Sequence, residues 1–115
     1  MDGIEMKKGM VSGVLLERSK ARSREEWEAM AGDLGKEAAE ILSNRPGFQG
    51  IMWFWDNSNS GDVLMFGVWE GLDTRVSYED SMAEAIRSKI NPLFEKKPVR
   101  PQFTLTHCYP ATKQP

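Results

Sequence analysis

Two aromatic, apolar runs constrain this chain more than anything else in it: Gly50-Ile51-Met52-Trp53-Phe54-Trp55 and Val63-Leu64-Met65-Phe66-Gly67-Val68-Trp69-Glu70. Between them lies Asp56-Asn57-Ser58-Asn59-Ser60-Gly61-Asp62, a stretch of polar turn-formers, so the pair reads as an antiparallel hairpin. Successive strand residues alternate between faces. Ile51, Trp53 and Trp55 therefore point one way, and Met52 and Phe54 the other. Val63, Met65, Gly67 and Trp69 share a face opposite Leu64, Phe66 and Val68. Both faces are apolar. An antiparallel sheet in a small monomer usually wets one face, so here one face must pack on helices and the other must find a second cover. In a chain of 115 residues, with room for one core, that cover is expected to be a second copy of the chain, which makes the protein a homodimer.

The remaining elements fall around the hairpin. Residues 10–18 read as a first strand, with Gly13 marking a bulge or a close approach. Ser23-Arg24-Glu25-Glu26 has the pattern of a capping box. Trp27, Met30, Ala31, Leu34, Ala38, Ile41 and Leu42 then recur at helical spacing, and Asn44-Arg45-Pro46-Gly47 stops that helix. Asp73 is the expected N-cap of a second helical region running towards Phe94, which Pro92 should interrupt or end. Residues 96–101 are a linker, and 102–109 a final strand with Phe103, Leu105, His107 and Tyr109 on one face. The order strand–helix–strand–strand–helix–strand is the split βαβ, ferredoxin-like arrangement: an α+β fold with an antiparallel four-stranded sheet and both helices on one face. One domain over residues 10–109 is expected, with residues 1–9 and 110–115 as flexible termini.

The formal charge of −2 gives no electrostatic reason to expect nucleic acid or an anionic membrane as partner. No apolar run approaches a bilayer span, and the first nine residues carry no export signal. Cys108 is the one cysteine, which fits a reducing, cytoplasmic setting. There is no glycine-rich nucleotide loop and no His/Cys cluster with ligand spacing. His107 and Cys108 point to opposite faces of the expected strand and cannot chelate one ion together. No cofactor is expected.

Pro46-Gly47-Phe48, the apolar hairpin, Val68-Trp69-Glu70 and Ile90-Asn91-Pro92-Leu93-Phe94 follow one another here as they do in the antibiotic biosynthesis monooxygenase (ABM) family. The chain resembles that family over roughly residues 10–109. The resemblance implies a dimeric α+β barrel. Some members oxygenate polycyclic aromatic polyketides without metal or flavin, others are quinol oxygenases, and others have no known activity. Family members that degrade heme place a His on the second helix and an Asn on the first strand. Here Tyr78 holds the first position, and no Asn lies in 10–18. Both departures speak against heme degradation.

The function this implies is oxygenation of an aromatic, polyketide- or quinol-like substrate in an apolar pocket, without cofactor. The substrate then carries the hard chemistry, while the protein excludes water, orients the rings and stabilises an anion. The alternatives are a non-catalytic module for a flat hydrophobic ligand such as heme, and a stress or regulatory dimer without activity. Each candidate site residue has two readings. Trp69 is a wall that orients the substrate rings, or a core or interface residue. Gly67 clears space beside it, or marks a bulge. Tyr78 donates to a substrate oxygen, or lies on a helix surface. His107, whose ordinary pKa near 6.5 suits a general base, is catalytic or a structural strand residue. Arg87 holds a phenolate, or is solvated.

Overall fold

In a computed structural model that describes residues 4–112, β1 (Val11–Arg18), α1 (Arg24–Leu42), β2 (Phe48–Trp55), β3 (Asp62–Trp69), α2 (Leu72–Ser81), α3 (Ala83–Ile90) and β4 (Gln102–Thr104) follow in order. A 3₁₀ turn, Asn91–Leu93, follows α3. The strands form an antiparallel sheet in the order β2-β3-β1-β4. This is the expected α+β, ferredoxin-like topology.

Local chemistry accounts for most boundaries. Ser23 caps α1, its hydroxyl accepting from the Glu26 amide at 3.1 Å, which satisfies one of the donors a helix start leaves unpaired. Trp27, Ala31, Ala38 and Leu42 are its buried stripe. The hairpin loop is an Asx turn: Asp56 accepts from the Ser58 amide and from the Ser60 hydroxyl, both at 2.8 Å. Those hydrogen bonds, the Ser58 amide first, hold the Asp56 carboxyl below its ordinary pKa.

The second helical region departs from expectation at both ends. Its cap is Gly71 rather than Asp73, because the Thr74 hydroxyl closes the turn, accepting from the Gly71 amide at 3.3 Å and donating to the Gly71 carbonyl at 2.9 Å. It is also two helices, divided at Met82, whose φ of −146° and ψ of 0° lie outside the helical region. Pro92 sits in the 3₁₀ turn just past α3, where its missing amide costs nothing.

The final strand is shorter than the sequence suggests. β4 stops at Thr104, opposite Val11. One further pairing, Leu105 amide to Met10 carbonyl at 2.8 Å and Gly9 amide to Leu105 carbonyl at 2.9 Å, ends the ladder. Gly9 has φ +95° and turns the chain away, so the alternation in 105–109 has no strand to pair with. Residues 106–112 are exposed. In the lead-in the Ile4 side chain lies against Gly50, and the Lys7 amide approaches Met10 Sδ at 2.9 Å. Residues 1–3 and 113–115 of the expected flexible termini lie outside the described residues.

The core sits between the helices and the inward face of the sheet. Leu15, Val63, Met65 and Trp69 supply the floor, and Tyr78, Ile86 and Ile90 part of the roof. Trp27 packs on Trp53 and Phe94, with ring centroids 5.2 and 5.8 Å apart. The opposite face is open in part: Leu16 and Phe54 are 67% and 52% exposed while Val68 is buried, and Phe54 meets Phe66 edge to face at 5.9 Å.

Candidate functional site

Gly13 and Gly67 stand opposite each other in the β1–β3 ladder, on the face that turns towards the helices. Two residues without side chains leave a hole in the floor of the core. The Arg75 guanidinium fills the Gly13 half; a Cβ on Gly13 would lie 2.7 Å from Arg75 Nη2. Above Gly67 nothing stands within 4 Å of where a Cβ would be. The bulge alternative fails at Gly67, since the one register shift in this hairpin falls between Phe48 and Gly50.

The hole opens into a cavity of about 40 Å³ walled by Trp69, Phe48, Ile51 and Met65 on the sheet side and by Tyr78 and Ile86 on the helix side. Arg75, Arg87 and Arg100 also line it. Four of the five residues singled out from the sequence, Gly67, Trp69, Tyr78 and Arg87, therefore meet at one cavity. The fifth does not. His107 is exposed in the unpaired stretch after β4, with Nδ1 2.9 Å from Thr106 Oγ1 and its ring 6.0 Å from that of Tyr109. Its expected place on a strand fails for the reason β4 is short, and it does not line the cavity.

Trp69 is 1% exposed. Its ring stacks on Tyr78 (centroids 4.9 Å apart, 29° between planes) and meets Phe48 edge-on at 5.3 Å. It is thus both core and cavity wall, and replacing it with alanine should cost about 3–5 kcal/mol of stability. Arg75 Cζ lies 5.1 Å from the centroid of the Tyr78 ring, a cation–π arrangement. Burial pushes the Tyr78 hydroxyl above its ordinary pKa, so the group is a neutral donor at pH 7.

Charge here is concentrated and unbalanced. Arg75 is 4% exposed and Arg87 is half-buried. Both pair with the same oxygen, Glu79 Oε1, Arg75 Nη2 lying 2.6 Å from it. Arg75 Nη2 is close without being aligned for a hydrogen bond, and Arg75 Nε and Arg87 Nε have no partner among the described residues. Arg100 Nη2 donates to Asn91 Oδ1 at 2.8 Å. Burial, then repulsion from Arg87, lowers the Arg100 pKa to about 10; burial likewise lowers that of Arg75.

Arg75, Glu79 and Arg100 did not emerge from the sequence reading. Arg75 precedes Tyr78 by three residues, so any helix that turns Tyr78 inward turns Arg75 inward too. Arg100 carries no such signal, because it reaches the cavity from a linker. A wider groove of about 560 Å³ runs along the outside between α1 and β2. Its Arg24 and Glu28 pair with each other at 3.0 Å. Among the described residues no cluster of His, Cys, Asp and Glu could hold a metal, and no helix is long and apolar enough to cross a membrane.

Topology and cavity together define a small α+β protein of ferredoxin-like architecture with an aromatic, cationic hollow between sheet and helices. Within that class the backbone is that of the antibiotic biosynthesis monooxygenases. SnoaB, a cofactor-independent oxygenase from Streptomyces nogalater, superimposes with a TM-score of 0.68 at 13% identity, covering 90% of this chain and 99% of its own. The monooxygenase ActVA-Orf6 of Streptomyces coelicolor, solved with nanaomycin D, gives 0.65 at 18% identity over 91% and 94%. A conserved protein from Methanosarcina mazei gives 0.66 at 13% identity over 86% and 95%. No family model and no curated protein sequence matches the chain. The ABM resemblance read from the sequence is thus borne out at the level of the fold.

Proposed function

We propose that the chain is a cofactor-independent oxygenase of aromatic, polyketide- or quinol-like substrates, acting in the Trp69–Tyr78 cavity. The observation that carries this reading is the meeting of an aromatic wall, a neutral phenol donor and three guanidinium groups, that of Arg75 buried, in one hollow. A phenol or anthrone bound there is deprotonated more easily, because Arg87 and its neighbours stabilise the anion in a site of low dielectric. The proton leaves with water, so no histidine is needed. The anion passes one electron to triplet oxygen, and the radical pair recombines at carbon as a peroxide. Protonation and loss of water leave the quinone: anthrone plus O₂ gives anthraquinone plus H₂O. Tyr78 donates to the developing oxyanion.

A cavity of about 40 Å³ is close to the share of a single water, whereas ligand pockets run to about 300–1,000 Å³. A ring system therefore enters by displacing Tyr78 from the face of Trp69 and stacking in its place. The partly open face of the sheet supports the proposal that the working form is a homodimer, and the lone cysteine fits a cytoplasmic one. The test is oxygen uptake by metal-free, colourless protein given an anthrone in air. Turnover above the buffer rate, slowed roughly ten- to a hundredfold by Tyr78→Phe, is the expected result. A rate equal to buffer refutes the oxygenase reading.

A further inference from the structure

We infer that the ligand of this cavity is an aromatic acid, its carboxylate seated on Arg75 and Arg100. The inference rests on the reading of the cavity as an aromatic-binding site and names the substrate class within it.

Three arginines line the cavity, and one carboxylate, Glu79, answers two of them through a single oxygen. Tyr78 adds no negative charge, since burial keeps it protonated. The hollow is thus left two positive charges in excess. Buried charge is costly unless it is paired and hydrogen-bonded, and buried donors without partners are rare in native proteins. Arg75 nevertheless has an orphaned Nε, an Nη2 without an aligned acceptor, and 4% exposure. Gly13 preserves this arrangement, because any side chain there would strike the guanidinium at 2.7 Å. A cation held in place by the sheet beneath it, with donors unused, is suited to an anion brought from outside.

The shape of the site narrows which anion. A guanidinium presents its donors as a planar fork that matches a carboxylate with two parallel hydrogen bonds. A carboxylate conjugated to an aromatic ring lies in the plane of that ring. A ligand stacked on Trp69 would carry such a group at its edge, within a cavity whose lining includes Arg75, Arg87 and Arg100. A tetrahedral phosphate has no place between flat aromatic walls. Arg100, half-buried and held by Asn91, completes the cationic rim.

Calorimetric titration of the full chain compares three probes: anthraquinone-2-carboxylate, the neutral 2-(hydroxymethyl)anthraquinone, and inorganic phosphate. The acid should bind roughly tenfold to a hundredfold more tightly than the alcohol, with phosphate undetectable. Arg75→Gln and, independently, Arg100→Gln should each bring the acid down towards the level of the alcohol; Arg100→Gln carries the test should Arg75→Gln fail to fold. Acid and alcohol binding equally would overturn the inference and leave the aromatic cavity standing. Phosphate binding in place of both would overturn it in favour of a simple anion site. Neither anthraquinone binding would overturn the cavity reading itself.

Discussion

Gly13 and Gly67 occupy equivalent positions in the same ladder, yet alanine at each should act in opposite directions. At Gly67 the new methyl meets open space, and the backbone is extended without a positive φ. Restricting the unfolded chain without straining the folded one should therefore stabilise by about 0.4–1 kcal/mol, or roughly 2–5 °C in Tm for a domain of this size. The methyl also takes most of a cavity of about 40 Å³, so affinity for any polycyclic ligand should fall. At Gly13 the methyl lies 2.7 Å from Arg75 Nη2, and the guanidinium cannot retreat without disturbing its ion pair with Glu79. Overpacking of that kind costs about 1–3 kcal/mol. Urea denaturation of the wild type and both variants, followed by Trp fluorescence, reads both numbers. Gly67→Ala less stable than wild type, or Gly13→Ala equal to it, refutes the account of the hole in the sheet. Gly67→Ala binding an anthraquinone as well as wild type refutes the placement of the ligand.

Three further outcomes follow from the geometry. Phe54, 52% exposed on the partly open face, should be part of a dimer contact, so Phe54→Asp is expected to give monomer or aggregate by light scattering; a wild-type chain that is monomeric at micromolar concentration would dismiss the dimer. Ser23→Ala removes the acceptor for the Glu26 amide and should cost about 1 kcal/mol in the same denaturation assay. Because burial raises the Tyr78 pKa, its contribution to stability is present below the unfolded value near 10 and falls away as pH rises through the folded one. Arg100, lowered to about 10, works the other way there, so the measurement is the difference between wild type and Tyr78→Phe: wild type should lose relative stability above pH 10.

The elements legible in the sequence were those whose cause is local. The Ser23–Glu26 pattern marks the start of α1 because the cap lies within one turn, and the hairpin reads from its own alternation and polar loop. The meeting of Gly67, Trp69 and Tyr78 followed from strand parity and the short connection between adjacent elements, whereas Arg87 was singled out for its charge alone and arrives from α3. What escaped depends on partners distant in sequence. The alternation from Phe103 to Tyr109 is a sound strand pattern, but a strand exists only where another pairs with it, and Gly9 removes that partner. Likewise, a carboxyl four residues beyond Arg75 looks like an exposed helix pair. Its three-residue spacing from Tyr78 turns the arginine inward, and Gly13 in the sheet leaves the space for it.

The division between α2 and α3 at Met82 has a kinetic consequence. Tyr78 and Arg75 ride on the first short helix and Arg87 on the second, and Glu79 spans the joint by its ion pair with Arg87. If a ring enters by displacing Tyr78, as proposed, the first helix must shift against the second at that joint, and the ion pair holds the two together. Salt screens a pair this far buried only weakly, so added electrolyte should leave the entry of a neutral aromatic nearly unchanged. For an acid, the same ions screen its attraction to the arginines as it approaches and slow its entry. Association rates for a neutral and an acidic probe should then diverge as ionic strength rises.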